Sequence, residues 1–264
     1  IKADEAERLI GAIGGPDSGM TAPRPPKPPR FQKDFMKKIE IIPEQIGQAI
    51  SAAVGSMGTT GGRKTYHGAK QLRLKLVSGD ISMVRGKKEL VIDGNAWPMK
   101  ADLEDDTLVV NSVSADISAE IPEKFSSQLT LVNADFRAEK IDTIATVDSV
   151  SGDIDLVECS GRWELSTISG DVNAESISGR IGVTTRSGEV WLDIAEPGKY
   201  DIESIDGNVS VRLPKKAKFT LNVESKNGEI QMAESLQDPS RETEGDGVVK
   251  LNVNAINGNI RILD

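Results

Sequence analysis

The chain has little of three side-chain types on which protein chemistry often depends. It contains one cysteine and one histidine in 264 residues, and aromatic residues make up 4%. A single cysteine, Cys159, excludes an intrachain disulfide. A single histidine, His67, lies at the entry to the repeat region described below, so a histidine-based triad and a multi-histidine metal site are excluded. The few aromatic residues give no sign of a stacking platform for carbohydrate or nucleic-acid bases.

An excess of positive charge and a long apolar run are also missing. Asp and Glu number 41 against 32 Lys and Arg, which gives a net charge of -9 and a pI near 4.9. Because binding to phosphates needs clustered Lys and Arg, we predict no nucleic-acid partner. No apolar run reaches the roughly 20 residues of a membrane helix. The lone cysteine fits a reducing compartment. The chain begins at Ile1 rather than Met, so its start does not decide between compartments, and we expect a cytoplasmic or cell-envelope-associated protein.

The first thirty residues divide into two segments. Residues 1–15 are predicted to be the end of a short helical motif, because their apolar residues recur at steps of three and four and Gly14-Gly15-Pro16 ends the run. Residues 16–30 form a Pro-rich linker, in which Pro23-Arg24-Pro25-Pro26-Lys27-Pro28-Pro29 favours extended polyproline II. The linker is interpreted as a spacer, with a docking site for a proline-binding module as the alternative.

Residues 31–65 are predicted to contain an amphipathic helix near 43–54. Pro43 suits the first helical turn, and one apolar stripe recurs every four residues at Ile42, Ile46, Ile50 and Val54. We interpret this helix as a cap over one end of the following domain, with an oligomer contact as an alternative. Basic residues upstream leave a third interpretation, membrane-surface contact through 24–54, which the lack of Lys and Arg within the helix weakens.

From residue 66 to 264 the sequence repeats one turn motif. The motif is Ser/Asp/Asn-Gly-Asp/Glu/Asn-Ile/Val, and it occurs at 78–81, 151–154, 169–172, 187–190, 206–209, 227–230 and 257–260. Two weaker copies, at 115–117 and 134–136, have Ala in place of Gly. From Ala115 onward the copies are 18–21 residues apart, except for a last interval of 30.

Apolar and polar residues alternate on both sides of each turn, as in Trp163-Glu164-Leu165 and Val190-Trp191-Leu192. This period of two indicates strands with one buried face. A fixed period with one recurring turn favours stacked coils over a sandwich. We therefore predict an all-β fold, a single-stranded parallel β-solenoid (β-helix) with 18–21-residue coils over 66–264. Nine or ten coils would make a rod on the order of 45 Å long.

The turn residues have a structural and a functional interpretation. Gly at a corner adopts a positive φ, and the polar residues beside it can bond nearby backbone N–H groups. In the functional interpretation, stacked acidic residues would bind cations, at Asp80, Asp116, Asp135, Asp153, Asp171 and Glu189. The structural interpretation is favoured because the calcium-binding Gly-Gly-x-Gly-x-Asp form is missing. Residues 233–247 are interpreted as an exposed loop inserted at a corner, which would explain the interval of 30.

Four further residues were considered as sites. His67 is assigned a structural or surface role and Cys159 a packed thiol. Trp163 falls on a core position, whereas Trp191 lies between two core positions and is expected to face outward, with Arg186 and Arg212 as neighbours in a contact patch. The sequence predicts no catalytic, cofactor-binding or metal-binding residue, and no cofactor.

Two stretches of the repeat carry a resemblance to a known family. Residues 161–172, Gly-Arg-Trp-Glu-Leu-Ser-Thr-Ile-Ser-Gly-Asp-Val, and residues 213–221, Leu-Pro-Lys-Lys-Ala-Lys-Phe-Thr-Leu, are similar to the bacterial "putative adhesin" β-strand-repeat domain of unknown function. Ile1 to Ile10 resembles the end of the helical motif that precedes this repeat in YvlB- and LiaX-type proteins. The resemblance implies a β-solenoid, a role in cell-envelope stress in some relatives, and no catalytic residues.

Two functional classes remain open from the sequence. The first is a non-catalytic bacterial scaffold or interaction protein that binds a protein partner or copies of itself, linked to cell-envelope stress or adhesion-like contacts. The second is a carbohydrate-active β-helix enzyme acting on a cell-envelope or extracellular glycan. Tight corners and few aromatic residues count against the second, because such enzymes use carboxylate sets in a groove flanked by aromatic loops.

Overall fold

The structure is a computed structural model that describes residues 62–96, 99–215, 217–237 and 247–264. The predicted helical motif at 1–15, the linker at 16–30 and the helix at 43–54 lie outside the described residues and stay predictions. Within the described ranges, no helix has the length and hydropathy that crossing a bilayer requires.

The described residues form strands joined by tight turns, with one short 3₁₀ helix at Glu234–Gln237. In chain order the strands are β1 Lys64–Tyr66, β2 Gln71–Ser78, β3 Ile81–Arg85, β4 Leu90–Ala96, β5 Met99–Glu104, β6 Thr107–Ile121, β7 Ser126–Asn133, β8 Phe136–Glu139, β9 Asp142–Ser151, β10 Ile154–Val157, β11 Ser160–Ser169, β12 Val172–Ser187, β13 Val190–Ser204, β14 Val209–Arg212, β15 Phe219–Ser225, β16 Ile230–Met232, β17 Val249–Ala255 and β18 Ile260–Leu263.

Each coil of the solenoid contains one longer and one shorter strand segment separated by a corner. The longer segments stack in one face, which we call the long face, and the shorter ones stack in the opposite short face. Three strands turn a corner and contribute to both faces: β6, β12 and β13. Neighbouring coils pair in parallel and in register, as where Trp163 lies between Ala145 and Ile181. The prediction of a parallel β-solenoid is therefore confirmed.

The coils do not stack in chain order at either end. At the first end, β2 and β3 lie between β6 on one side and β7 and β8 on the other. In the middle, β7 to β14 follow chain order. At the last end, β17 and β18 are inserted between β13–β14 and β15–β16, so that the coil made by β15 and β16 is outermost.

The interval of 30 residues between the last two turn motifs differs from the others in what lies between its strands. Every interval spans one short and one long strand segment, and this one also contains the 3₁₀ helix at Glu234–Gln237. Residues 238–246 lie outside the described residues, so the loop interpreted at 233–247 stays a prediction. The structure adds that the chain builds the outermost coil first and then the coil beneath it.

The first end of the solenoid is closed by antiparallel strands that the sequence analysis did not predict. Strand β5 pairs antiparallel with the first part of β6, and β4 pairs antiparallel with its second part. Strand β1 then pairs antiparallel with β4. A turn at Asp105, with φ of 53°, reverses the chain between β5 and β6. These strands cover the core of the first coil, where Leu108 and Val110 are fully buried.

The core is a continuous stack of inward-facing apolar side chains. Every second residue along a strand points inward, as the alternating burial of β2 shows. The largest buried side chain is Trp163, whose ring lies 6.4 Å from that of Phe136 in the opposite face. Full burial of one such apolar side chain contributes about 1.5–3 kcal/mol. Because each coil buries its apolar residues against its neighbours, stability depends on the uninterrupted stack.

Candidate functional site

The acidic residues that follow the corner glycines form a hydrogen-bonded ladder along one edge of the solenoid. The backbone N–H of Asp153 donates to Asp135 Oδ1 at 2.9 Å, and the N–H of Asp171 donates to Asp153 Oδ1 at 2.9 Å. The N–H of Glu189 donates to Asp171 Oδ1 at 2.7 Å. Each carboxylate therefore accepts a hydrogen bond from the next coil rather than from its own turn.

The ladder continues beyond Glu189 with amide side chains, and it follows the spatial order of the coils. The N–H of Asn259 donates to Asn208 Oδ1 at 3.0 Å, and the N–H of Glu229 donates to Asn259 Oδ1 at 2.9 Å. Asn208 Nδ2 lies 3.4 Å from Glu189 Oε1. An amide therefore stands where a further carboxylate would, which lowers the repulsion between the acidic side chains of the ladder. These hydrogen bonds to backbone N–H groups are of the kind that the structural interpretation predicts. In the described ranges, no His, Cys, Asp and Glu side chains are grouped closely enough to hold a metal ion.

Replacing Asp153 tests the role of the ladder. Asp153→Ala removes one exposed acceptor and should cost about 0.5–1.5 kcal/mol. For a domain of this size that lowers the melting temperature by about 2–5 °C. Asp153→Asn keeps an acceptor oxygen and should melt close to the parent protein. A chelator should leave the melting temperatures of the parent protein and of Asp153→Asn unchanged. A fall in melting temperature on chelation would instead support the cation interpretation.

One shallow cleft lies where the ladder meets the antiparallel strand β4. It has a volume of about 450 Å³, and its carboxylates come from Asp80, Asp116 and Asp135 of the ladder, from Asp93 of β4 and from Asp155 of β10. Arg137 also lines it, 3.9 Å from Asp155. The one aromatic residue of its lining, Phe136, is buried in the core, so the cleft presents no ring on which a sugar could stack.

This cleft was not predicted from the sequence. Its outer wall is β4, which reaches the ladder only because β4 pairs antiparallel with β6 and places Asn95 beside Asp116. Nothing in the turn motif predicts that pairing. If the chain cleaved glycans, the grouped carboxylates of this cleft would be candidate residues, because most glycosidases act through paired Asp or Glu side chains.

Trp191 faces outward from the short face, as its position between two core residues predicted. The guanidinium carbon of Arg212 lies 5.0 Å from the centre of the Trp191 ring, which is a cation–π contact. Trp191 and Arg212 lie on neighbouring strands, whereas Arg186 is in the part of β12 that belongs to the long face. The predicted contact patch therefore consists of Trp191 and Arg212, and Arg186 is not part of it.

The other candidate residues have structural or surface roles. Cys159 is buried, its Sγ donates to the carbonyl oxygens of Ala138 and Val157, and burial raises the pKa of its thiol. Trp163 is buried as predicted, and its Nε1–H donates to Ser160 O at 2.9 Å. His67 is exposed, and its Nδ1 lies 2.6 Å from Glu89 Oε1.

A family model described as Toastrack DUF4097, a domain of unknown function, matches residues 63–263. The chain belongs to this family. The match agrees with the resemblance of the repeat to the bacterial "putative adhesin" domain. The similarity of Ile1 to Ile10 to YvlB- and LiaX-type proteins lies outside the matched residues and stays a prediction.

Several solved structures are similar to this Toastrack chain. A "putative cell adhesion protein" from Clostridium sporogenes is 16% identical, with 76% of this chain and 96% of that chain covered and a TM-score of 0.33. A "putative adhesin" from Bacteroides fragilis is 11% identical over 76% and 96% of the two chains, with a TM-score of 0.39. These values are too low to transfer a binding function. No curated protein matches the chain.

Proposed function

We propose that this Toastrack chain is a non-catalytic scaffold or interaction protein of the bacterial cell envelope, with adhesion-like contacts as its role. One observation carries the proposal: the interior of the described ranges holds no charged side chain. Its buried polar groups are Ser and Thr hydroxyls, the Cys159 thiol and the Tyr200 phenol. Active sites usually hold buried, interacting acid and base groups, so this interior is that of a structural rod.

The two buried titratable groups are used for packing. The Tyr200 hydroxyl donates to Glu196 O at 2.9 Å, and burial raises the pKa of the phenol far above its usual range. The Cys159 thiol donates to backbone carbonyl oxygens, as described above. Neither group is bonded to a side chain that could act as its base, so neither is activated as a nucleophile.

The surface supplies the features that support an interaction role. Trp and Arg are enriched among the residues that contribute most to protein–protein binding, and Trp191 with Arg212 combines both on an exposed face.

The proposal is tested with cell-envelope glycans and whole envelopes. The protein is incubated with a panel of bacterial glycans, and new reducing ends are measured for the parent chain and for Asp116→Asn, which removes one of the five carboxylates of the cleft. In parallel, binding to isolated envelopes is measured for the parent chain and for Trp191→Ala. We expect no turnover, and saturable envelope binding that Trp191→Ala weakens. Turnover that Asp116→Asn abolishes, or the lack of any envelope binding, would contradict the proposal.

A further inference from the structure

Basic side chains from four neighbouring coils stack in one line on the long face. They come from β11, β12, β13 and β17, and they are Arg162, Arg180, Lys199 and Lys250. We call this line the basic row. All of its side chains are exposed. At about 4.8 Å per strand-to-strand step the basic row is about 14 Å long. Its members are far apart in the sequence, so only the register of the coils brings them together.

Two cations of the basic row form exposed ion pairs within their own strands. Arg162 Nη2 lies 3.3 Å from Glu164 Oε1, and Lys199 Nζ lies 3.0 Å from Asp201 Oδ2. The side chains of both pairs are at least a third exposed. Ion pairs at such exposed positions are weak, so Arg162 and Lys199 can exchange their carboxylate for another anion at little cost.

The other two cations of the basic row have no anionic partner in the part of the chain that the structure describes. Two residues after Arg180 stands Gly182, and two residues after Lys250 stands Asn252, in the positions that carry acids in the other two coils. Asn252 Nδ2 donates to Asp201 Oδ1 at 2.7 Å. The basic row therefore exceeds the charge of its acidic neighbours, although the whole chain has a net charge of -9.

The corner beside the basic row carries no side chain in three of the coils. Gly161, Gly179 and Gly198 each precede one of the cations and stack on one another. A Cβ on Gly179 would lie 2.3 Å from Gly161 O, and one on Gly198 would lie 2.2 Å from Gly179 O. A ligand that lies along the basic row therefore meets bare backbone at these three positions.

The arrangement favours a linear polyanion over a flat anionic surface. A flat surface that reached the basic row would also approach Glu164 and Asp201, which would repel it. One extended chain can instead follow the line and contact cations of successive coils at once, which raises its affinity above that of a single anion. Phosphate suits this line because its oxygens point in several directions, so that one group can bond to cations of two neighbouring coils.

Nothing beside the basic row could stack on a nucleic-acid base. The aromatic residues that follow Arg162 and Lys199 are Trp163 and Tyr200, and both are fully buried. Trp191 lies on the short face, on the opposite side of the solenoid. Proteins that bind single-stranded nucleic acid combine phosphate contacts with aromatic stacking. A phosphate polymer without bases therefore fits the described long face better than nucleic acid does.

We propose that the basic row binds a linear, phosphate-bearing polymer of the cell envelope, which lies along the solenoid axis. The inference takes from the proposed function only the envelope as the source of the polymer, and it adds a surface distinct from Trp191. Because the contacts are made by exposed charges, the affinity depends strongly on salt.

Inorganic polyphosphate, in chains long enough to span the basic row, is the probe for this site. Its binding to the full chain is measured by isothermal titration calorimetry at several salt concentrations. We expect log K to fall with log salt with a slope of roughly -3, as for about four phosphate contacts by a single-stranded polyanion. Orthophosphate should bind far more weakly, since one phosphate cannot contact all the cations of the row.

The double variant Arg180→Gln with Lys250→Gln removes the two cations that have no ion pair. It should weaken polyphosphate binding about tenfold or more. The matched control, Arg261→Gln with Lys226→Gln, removes one exposed Arg and one exposed Lys outside the basic row. It changes the net charge equally and should alter the affinity by about twofold at most. Circular dichroism checks that both variants are folded.

Several results would overturn the proposal. One is the absence of polyphosphate binding at low salt. Another is an equal loss in the two double variants, which would show that net charge and not the basic row determines the affinity. Tighter binding of polyglutamate, of oligo(dT) or of phosphatidylglycerol vesicles would indicate a different class of partner. Polyphosphate binding by the purified chain does not involve Trp191, so this proposal and the proposed function fail independently.

Discussion

Gly179→Ala is expected to destabilise the solenoid far more than Gly68→Ala, although both glycines have a similar positive φ. The φ of Gly179 is 96° and that of Gly68 is 81°. A Cβ on Gly179 would lie 2.3 Å from Gly161 O of the next coil, whereas a Cβ on Gly68 would have nothing within 4 Å. Both substitutions carry the strain of a left-handed residue, about 1–2 kcal/mol. Only Gly179→Ala also forces two coils apart.

The measurement is equilibrium unfolding of both variants in denaturant. Gly68→Ala should lose about 1–2 kcal/mol, and Gly179→Ala about 4 kcal/mol or more, which is a large fraction of the stability of a typical domain. A corresponding fall in melting temperature of about 8–16 °C is expected for Gly179→Ala. Equal losses for the two variants would show that strain alone determines the effect and that the coils do not approach so closely.

Trp163→Ala is expected to have a similarly large effect, and Trp191→Ala a small one. Trp163 is fully buried between its neighbouring coils and contacts Phe136 across the core. Truncating a buried Trp to Ala removes packing and leaves a cavity, at a cost of about 3–5 kcal/mol. Trp191 faces outward, so its truncation loses mainly the contact with Arg212, which is about 0.5–1 kcal/mol at an exposed site.

The comparison is made by denaturant titration under identical conditions. Both tryptophans lie in strands of the same solenoid, and both are replaced by Ala. The difference between the two losses of stability therefore reports the difference between an inward-facing and an outward-facing position. Similar losses for Trp163→Ala and Trp191→Ala would contradict the assignment of faces, since an interchange of the two faces requires only a register shift of one residue.

The repeating part of the fold follows from the sequence because two local signals agree. Alternation places Trp163 inward and Trp191 outward, and the Gly corner fixes where each coil turns. The structure confirms both assignments. These signals depend on a single strand and a single turn, so one chain segment is enough to reveal them.

The order of the coils at the ends could not be predicted from the same signals. Asn208 can accept a hydrogen bond from Asn259 or from Glu229 with equal chemistry, and only the structure shows that Asn259 is adjacent. The apolar residues of β15 and β17 are likewise interchangeable in type. The interval of 30 residues indicates an irregularity between β16 and β17, but its length does not indicate on which side of β15 the next coil stacks.

The cleft and the outermost coil were not predicted, for the same reason. Both depend on which strand is a neighbour of which: the cleft on β4 beside β6, and the outermost coil on β17 beneath β15. Long-range pairing of this kind is not encoded in local periodicity. The role of the ladder residues was predicted in kind, as bonding to the backbone, but the partner is in the next coil and its identity follows from register.

Disulfide trapping tests the order of the coils, which is the central feature of the fold that the sequence did not predict. Ser210 of β14 lies opposite Arg261 of β18, and Arg261 lies opposite Gln231 of β16. Cysteines at 210 and 261 would have Cα atoms about 4.8 Å apart, within disulfide range, whereas those at 210 and 231 would be two strands, about 10 Å, apart. With Cys159→Ala as background, the account predicts rapid oxidation of Ser210→Cys with Arg261→Cys and none of Ser210→Cys with Gln231→Cys. The reverse result would show that the coils stack in chain order, and would contradict the account.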